Sequence, residues 1–270
     1  MRIIRQLFDF YINSSIHVAL AVLSLVLMTN HMFHNQLDEV MARFAFFGTV
    51  LGYNFVKYES LFRNKKPVRK HLKVIFIFSL LCLAATVFCF FKLEFRTQIV
   101  AVVFFAFTLL YAIPFFPNKA NIRNWSGVKI YIVAFCWAGI TILLPLINSN
   151  TAIATDVFLK FAQRFLLVII LILIFEIIDL KKDAPSLETI PQKIGVRKTK
   201  LLGLFLLIPF YFVEFLKSDF NANQLWINLV LIMITGLFTI FAYPDRSKYY
   251  TSFWVESIPI AWLALVWLFA

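Results

Sequence analysis

Long apolar runs separated by short polar stretches set the pattern of the chain. They fall at 12–30, 40–56, 72–91, 97–116, 128–147, 157–178, 201–216, 225–242 and 253–269. Most approach the ~20 residues that a helix needs to cross hydrocarbon, where each backbone amide must find its partner inside its own helix. The runs are continuous rather than alternating, which excludes the pattern of a barrel strand. The pattern predicts an all-α polytopic membrane protein with nine transmembrane helices, forming a single domain over residues 1–270. The stretch at 40–56 is the weakest of the nine, being short and carrying Arg43 and Asn54.

Composition agrees with the pattern. Hydrophobic residues make up 61% of the chain, charged residues 15%, and there are 33 Phe. A soluble domain of this size has no interior large enough for so much apolar surface. Cys82, Cys89 and Cys136 lie inside apolar runs, where they read as small buried hydrophobes rather than as disulfide or zinc ligands. The N-terminal stretch MRIIRQLFDFYINSSIHVAL begins basic but lacks a small-residue cleavage site, so it is read as a retained segment.

Charge sets the expected orientation. Of the 26 Lys and Arg residues, 20 lie at the N-terminus and in the loops after the second, fourth, sixth and eighth runs. By the positive-inside tendency these face the cytoplasm and the C-terminus lies outside, in a plasma or inner membrane. The net charge of +12 is then a matter of topology and attraction to anionic lipid, and no nucleic-acid partner is implied. Two loops, 57–73 and 179–200, hold 13 of those 20 charges and are the places to look for function.

In FEIIDLKKDAPSLETIPQKIG (175–195), an apolar run ends on Glu176, Asp179 and Asp183. Their spacing brings three carboxylates toward one face if the helix continues through them. Crowded carboxylates call for a cation, and Mg²⁺ takes one or two carboxylates together with phosphate oxygens. The plainer alternative is that Asp179 and Asp183 are solvated helix-end residues neutralised by Lys181 and Lys182. An acid one turn inside an apolar run, as Glu176 is, marks a functional candidate. The 57–73 loop supplies Lys57, Glu59, Arg63, Lys65, Lys66, Arg69 and Lys70 after Asn54; such a loop can hold phosphate or simply set topology. In YAIPFFPNK (111–119), Pro114 and Pro117 break the fourth run ahead of Lys119. Glu256 opens the last run on the same side as Asp179, whereas Glu214 lies toward the other side and has no evident role. No GxGxxG, P-loop, GxSxG or HExxH pattern occurs.

Together these features resemble the UbiA superfamily of intramembrane prenyltransferases, over essentially the whole chain. DLKKD (179–183), followed by TIP (189–191) and Gly195, is similar to that family's second aspartate motif, one residue shorter before the Thr. YAIPFFPNK is similar to its Tyr-Ser-x-Pro run ending in Lys. The resemblance implies nine helices around a central cavity, in which Mg²⁺ and the diphosphate of a prenyl donor are held while the prenyl group passes to a lipophilic acceptor, often aromatic or a quinone precursor. It assigns catalysis to Asp179 and Asp183, metal binding to these and Glu176, and substrate contacts to Asn54, Tyr58, Glu59, Lys119, Tyr111, Arg63 and Lys66. The first motif departs from the family pattern: NFVKY (54–58) keeps the Asn but has Phe55 and Tyr58 where acids are expected. A family member that binds or moves an isoprenoid lipid without catalysis is therefore the second reading. An unrelated ion or solute transporter comes last, since it calls for polar groups near the midplane of several helices.

Overall fold

The computed structural model describes residues 2–63, 70–112, 127–218 and 222–269, and among them the regular structure is entirely helical. Ten helices follow one another. They are α1 (Arg2–Asn13), α2 (Ile16–Met32), α3 (Glu39–Arg63), α4 (Lys70–Phe90), α5 (Phe95–Ala112), α6 (Val128–Asn148), α7 (Thr155–Asp179), α8 (Ile190–Leu216), α9 (Ala222–Ile240) and α10 (Tyr250–Phe269).

Seven of these, α4 to α10, are long and apolar enough to cross a membrane, and the bent pair α1–α2 makes an eighth. The expected count of nine is thus not reached by length and composition among the described residues. The difference is α3, where the weak 40–56 run lies. Its 25 residues extend ~37 Å at 1.5 Å per residue, but Arg43, Asn54, Lys57 and Glu59 dilute its apolar character.

The first run is interrupted as well. Asn13, Ser14 and Ser15 compete for their own backbone and favour caps over helix interiors. Ser15 adopts a left-handed φ of 62°, and α1 departs from α2 at 57°. The first helix is amphipathic, with Phe8 against Tyr249 and Phe253, Phe10 against Phe78, and Ile4 and Leu7 left exposed.

The remaining helices gather about α7, which packs on α8 and α6 and also touches α9 and the start of α10. Two-thirds of its apolar window is buried inside the protein, against about a sixth for α4, which packs chiefly on α3. The rows of exposed Leu, Phe and Val on α4 and α5 suit contact with lipid chains. Close packing of α5 on α6 depends on Gly139. A Cβ there would fall 1.8 Å from the Phe104 ring, so any larger residue would push the two helices apart. Gly139 opens a π-helical stretch (Gly139–Leu143). Cys82, Cys89 and Cys136 are buried and unpaired, as their apolar setting predicts.

Candidate functional site

The end of α7 explains the DLKKD…TIP…G motif locally. Helix α7 ends at Asp179, whose carbonyl accepts the N–H groups of Lys182 (2.7 Å) and Asp183 (2.9 Å) in a tight turn. Helix α8 then starts at Ile190 with Thr189 before it in extended geometry and Pro191 in its first turn, a position where the missing N–H costs nothing. The Gln192 side chain accepts the Thr189 N–H (2.8 Å) and donates to the carbonyl of Ala184 (3.2 Å). Gly195 holds a φ of 80°, interrupting α8 one turn later in a region that favours glycine.

Glu176 belongs to this architecture rather than to a metal cluster. It is buried, and one of its oxygens pairs with Lys129 Nζ at the start of α6 (2.8 Å). The other accepts the Ile190 N–H (3.0 Å), one of the orphan donors at the start of α8. Glu176 therefore ties the ends of α6, α7 and α8 together. Among the described residues no three His, Cys, Asp or Glu side chains gather to hold a metal, so the expected cluster of three carboxylates does not form. The turn of helix between Glu176 and Asp179 separates a buried, paired acid from a half-exposed one.

Asp179 is 42% exposed and, among the described residues, pairs with Lys182 (3.0 Å), itself 62% exposed. Asp183 is partly exposed in the same turn. These two carboxylates have the chemistry that suits Mg²⁺ shared with a diphosphate. Glu176, already engaged with a lysine and an amide, does not.

The end of α3 has gone the other way. Asn54 is buried, accepts the Ser15 hydroxyl proton (2.8 Å), and donates to the Ser14 carbonyl (3.1 Å) and to Ser79 Oγ on α4 (2.9 Å). Tyr58 donates its hydroxyl proton to the Asn13 carbonyl (2.8 Å), which also receives Lys57 Nζ (3.2 Å). The break between α1 and α2 frees these carbonyls, and the NFVKY side chains satisfy them. Asn54 and Tyr58 thus point at the α1–α2 break instead of at α7. Glu59 is partly buried on the last turn of α3 whose side chains are described. Lys66, Lys119 and the side chain of Arg63 lie outside the described residues.

A polar group that the residue types alone did not assemble lies between α3, α5, α6 and α10. Tyr53 on α3 accepts the Trp137 indole proton (2.7 Å) and interacts electrostatically with Tyr111 at the end of α5. Glu256, just past the π-helical stretch of α10, interacts electrostatically with Lys57, Tyr53 and Tyr11. Tyr53, Tyr111 and Glu256 are all partly buried. Of the expected substrate contacts among the described residues, Tyr111 is the one near Tyr53. Tyr11 donates to His17 Nδ1 (2.6 Å), with His17 Nε2 against the Phe253 carbonyl (2.8 Å).

No family model matches the sequence. No curated protein matches it either. Solved structures do. The apo structure of a UbiA homolog from Aeropyrum pernix K1 superposes with a TM-score of 0.69 at 13% identity, covering 94% of this chain and 98% of that one. A digeranylgeranylglyceryl phosphate synthase superposes with a TM-score of 0.57 at 16% identity, covering 98% of this chain and 96% of that one. The chain thus has the fold of UbiA proteins along nearly its whole length, the fold its motifs resembled.

Proposed function

We propose that this membrane protein transfers a prenyl group from a prenyl diphosphate to a lipophilic acceptor, as an intramembrane prenyltransferase of UbiA type. The observation that carries this reading is the position of Asp179 and Asp183: two partly exposed carboxylates in the turn after the central helix of a UbiA fold. Asp179 and Asp183 would hold Mg²⁺, which when bound supplies charge stabilisation for the departing diphosphate. Lys181 and Lys182 beside them add positive charge for the same group. The Lys119 and Lys66 expected to contact diphosphate extend that role. Tyr53, Tyr111 and Trp137 would offer aromatic faces that favour a nearby cationic carbon. Membrane lipids surround the exposed faces of α4 and α5, and the basic loops favour the cytoplasmic leaflet of a plasma or inner membrane, with the C-terminus outside.

A second reading rests on the α3 end, where Asn54 and Tyr58 are committed to backbone carbonyls. There the facing half of a two-sided clamp is absent among the described residues, and the protein binds or moves an isoprenoid lipid without cleaving it. One experiment separates the two. Purified protein is incubated with radiolabelled prenyl diphosphates and mixed aromatic and quinone-precursor acceptors, with and without Mg²⁺. Transfer predicts Mg²⁺-dependent release of diphosphate and a prenylated product. Donor binding without release favours the second reading, and absence of both binding and release contradicts both.

A further inference from the structure

The half of the bundle away from the Asp179 turn holds a second ionic cluster, buried in the protein interior. Glu214 on α8 is fully buried; one oxygen accepts from Lys160 Nζ (2.6 Å), Gln163 (3.1 Å) and Asn228 (3.0 Å), the other from Lys217 Nζ (3.0 Å). Its acceptor capacity is filled. One turn along α7 from Lys160 stands Arg164, 1% exposed and within electrostatic reach of that lysine. Arg164 is nine residues into the helix, ~13 Å at 1.5 Å per residue, so it sits near the middle of a hydrocarbon layer ~30 Å thick.

Among the described residues, no carboxylate pairs with Arg164. One guanidinium nitrogen donates to the Leu25 carbonyl on α2 (3.0 Å), and the guanidinium carbon lies over the Trp262 ring of α10, 5.3 Å from its centroid. Among the described residues, the Nε and Nη2 donors of Arg164 and the Nε1 donor of Trp262, which is also 1% exposed, find no acceptor. Asp156, on the first turn of α7, lies at the rim and accepts the Ser218 N–H (3.0 Å). The cluster therefore sets three cations, Lys160, Arg164 and Lys217, against the single buried acid Glu214, and leaves unpaired donors on two adjacent buried side chains. Unpaired buried donors are rare, and an uncompensated charge at this depth is costly. A guest that only accepts hydrogen bonds and carries negative charge relieves both.

We propose that Arg164 and Trp262 form an internal site for a small monovalent anion of halide size, where α2, α7 and α10 meet. The site is separate from the Asp179 turn and independent of prenyl transfer. A water molecule would meet the donors but not the charge, and it is the alternative that the test addresses. Thermal unfolding of the detergent-solubilised protein is followed in sodium gluconate, whose anion is a bulky polyhydroxy carboxylate, with bromide substituted stepwise at constant ionic strength. The midpoint should rise saturably with bromide, because a ligand that binds only the folded state stabilises it. Arg164→Gln should abolish that rise. Trp262→Phe, which keeps the charge and removes one donor, should weaken the apparent bromide affinity roughly five-fold, and it keeps the proposal testable if the arginine variant fails to fold. Anomalous diffraction from bromide-soaked crystals should place a peak within hydrogen-bond distance of Arg164. Equal midpoints in gluconate and bromide, an unchanged bromide response in Trp262→Phe, or a water where the anion is expected would each overturn the site.

Discussion

The ends of α3 and α7 each close a long helix with a cluster of polar residues, and the two clusters have opposite fates. At the end of α3, Asn54, Lys57 and Tyr58 turn inward to the chain itself and close the carbonyls of the α1–α2 break. At the end of α7, Glu176 is drawn into the packing while Asp179 and Asp183, one turn on, stay partly exposed. Identity alone does not set these fates. A polar side chain near the end of a membrane helix goes first to whatever backbone or charge nearby lacks a partner. Only residues beyond such a demand remain available to a ligand.

The most buried of these contacts carries the largest expected effect. Glu176→Leu removes the partner of Lys129, which is only 12% exposed. It should cost about 3–5 kcal/mol, read as a large drop in the thermal midpoint. Asn54→Ala removes three hydrogen bonds and orphans the Ser14 carbonyl. It should cost about 2–3 kcal/mol and raise hydrogen exchange at the α1–α2 junction ahead of the rest of the protein. Tyr58→Phe should cost only about 1 kcal/mol, because Lys57 still reaches the Asn13 carbonyl. Asp179→Asn should shift stability by less than about 0.5 kcal/mol, since it breaks only a surface pair. A stability loss for Asp179→Asn as large as that for Glu176→Leu would erase the distinction between the two acids.

Much of the fold was legible in the sequence because burial in hydrocarbon imposes one rule on every helix: an unbroken apolar run of near-constant length. Hence the runs at 157–178 and 225–242 fall on α7 and α9 to within a few residues. Helix α1 was not separated from α2, because the sign of its start is a hydrogen-bonding preference of Asn13, Ser14 and Ser15 rather than an interruption in hydropathy. The count of spans differed at α3, where polar residues answering to the α1–α2 break interrupt the apolar signal. The motif around Asp179 was legible in its local grammar, Thr and Pro starting a helix and Gly allowing a positive φ. The partner of Glu176 was not. Lys129 meets it across two helices, and which faces of two helices oppose each other depends on their rotation, which residue spacing does not encode. For the same reason Glu214 carried no sign of its part in the buried cluster with Lys160 and Lys217. The meeting of Tyr53, Trp137 and Glu256 was hidden in the same way.

On the proposed function, the end of α7 serves a ligand while the end of α3 serves the fold. Mg²⁺-dependent binding of a radiolabelled prenyl diphosphate, measured side by side on the unmodified protein, Asp179→Asn and Tyr58→Phe, tests it most directly. Asp179→Asn should lose affinity at least ten-fold, equivalent to ~1.4 kcal/mol, while Tyr58→Phe should stay within about two-fold of the unmodified protein. Undiminished binding by Asp179→Asn together with loss of binding by Tyr58→Phe would contradict it.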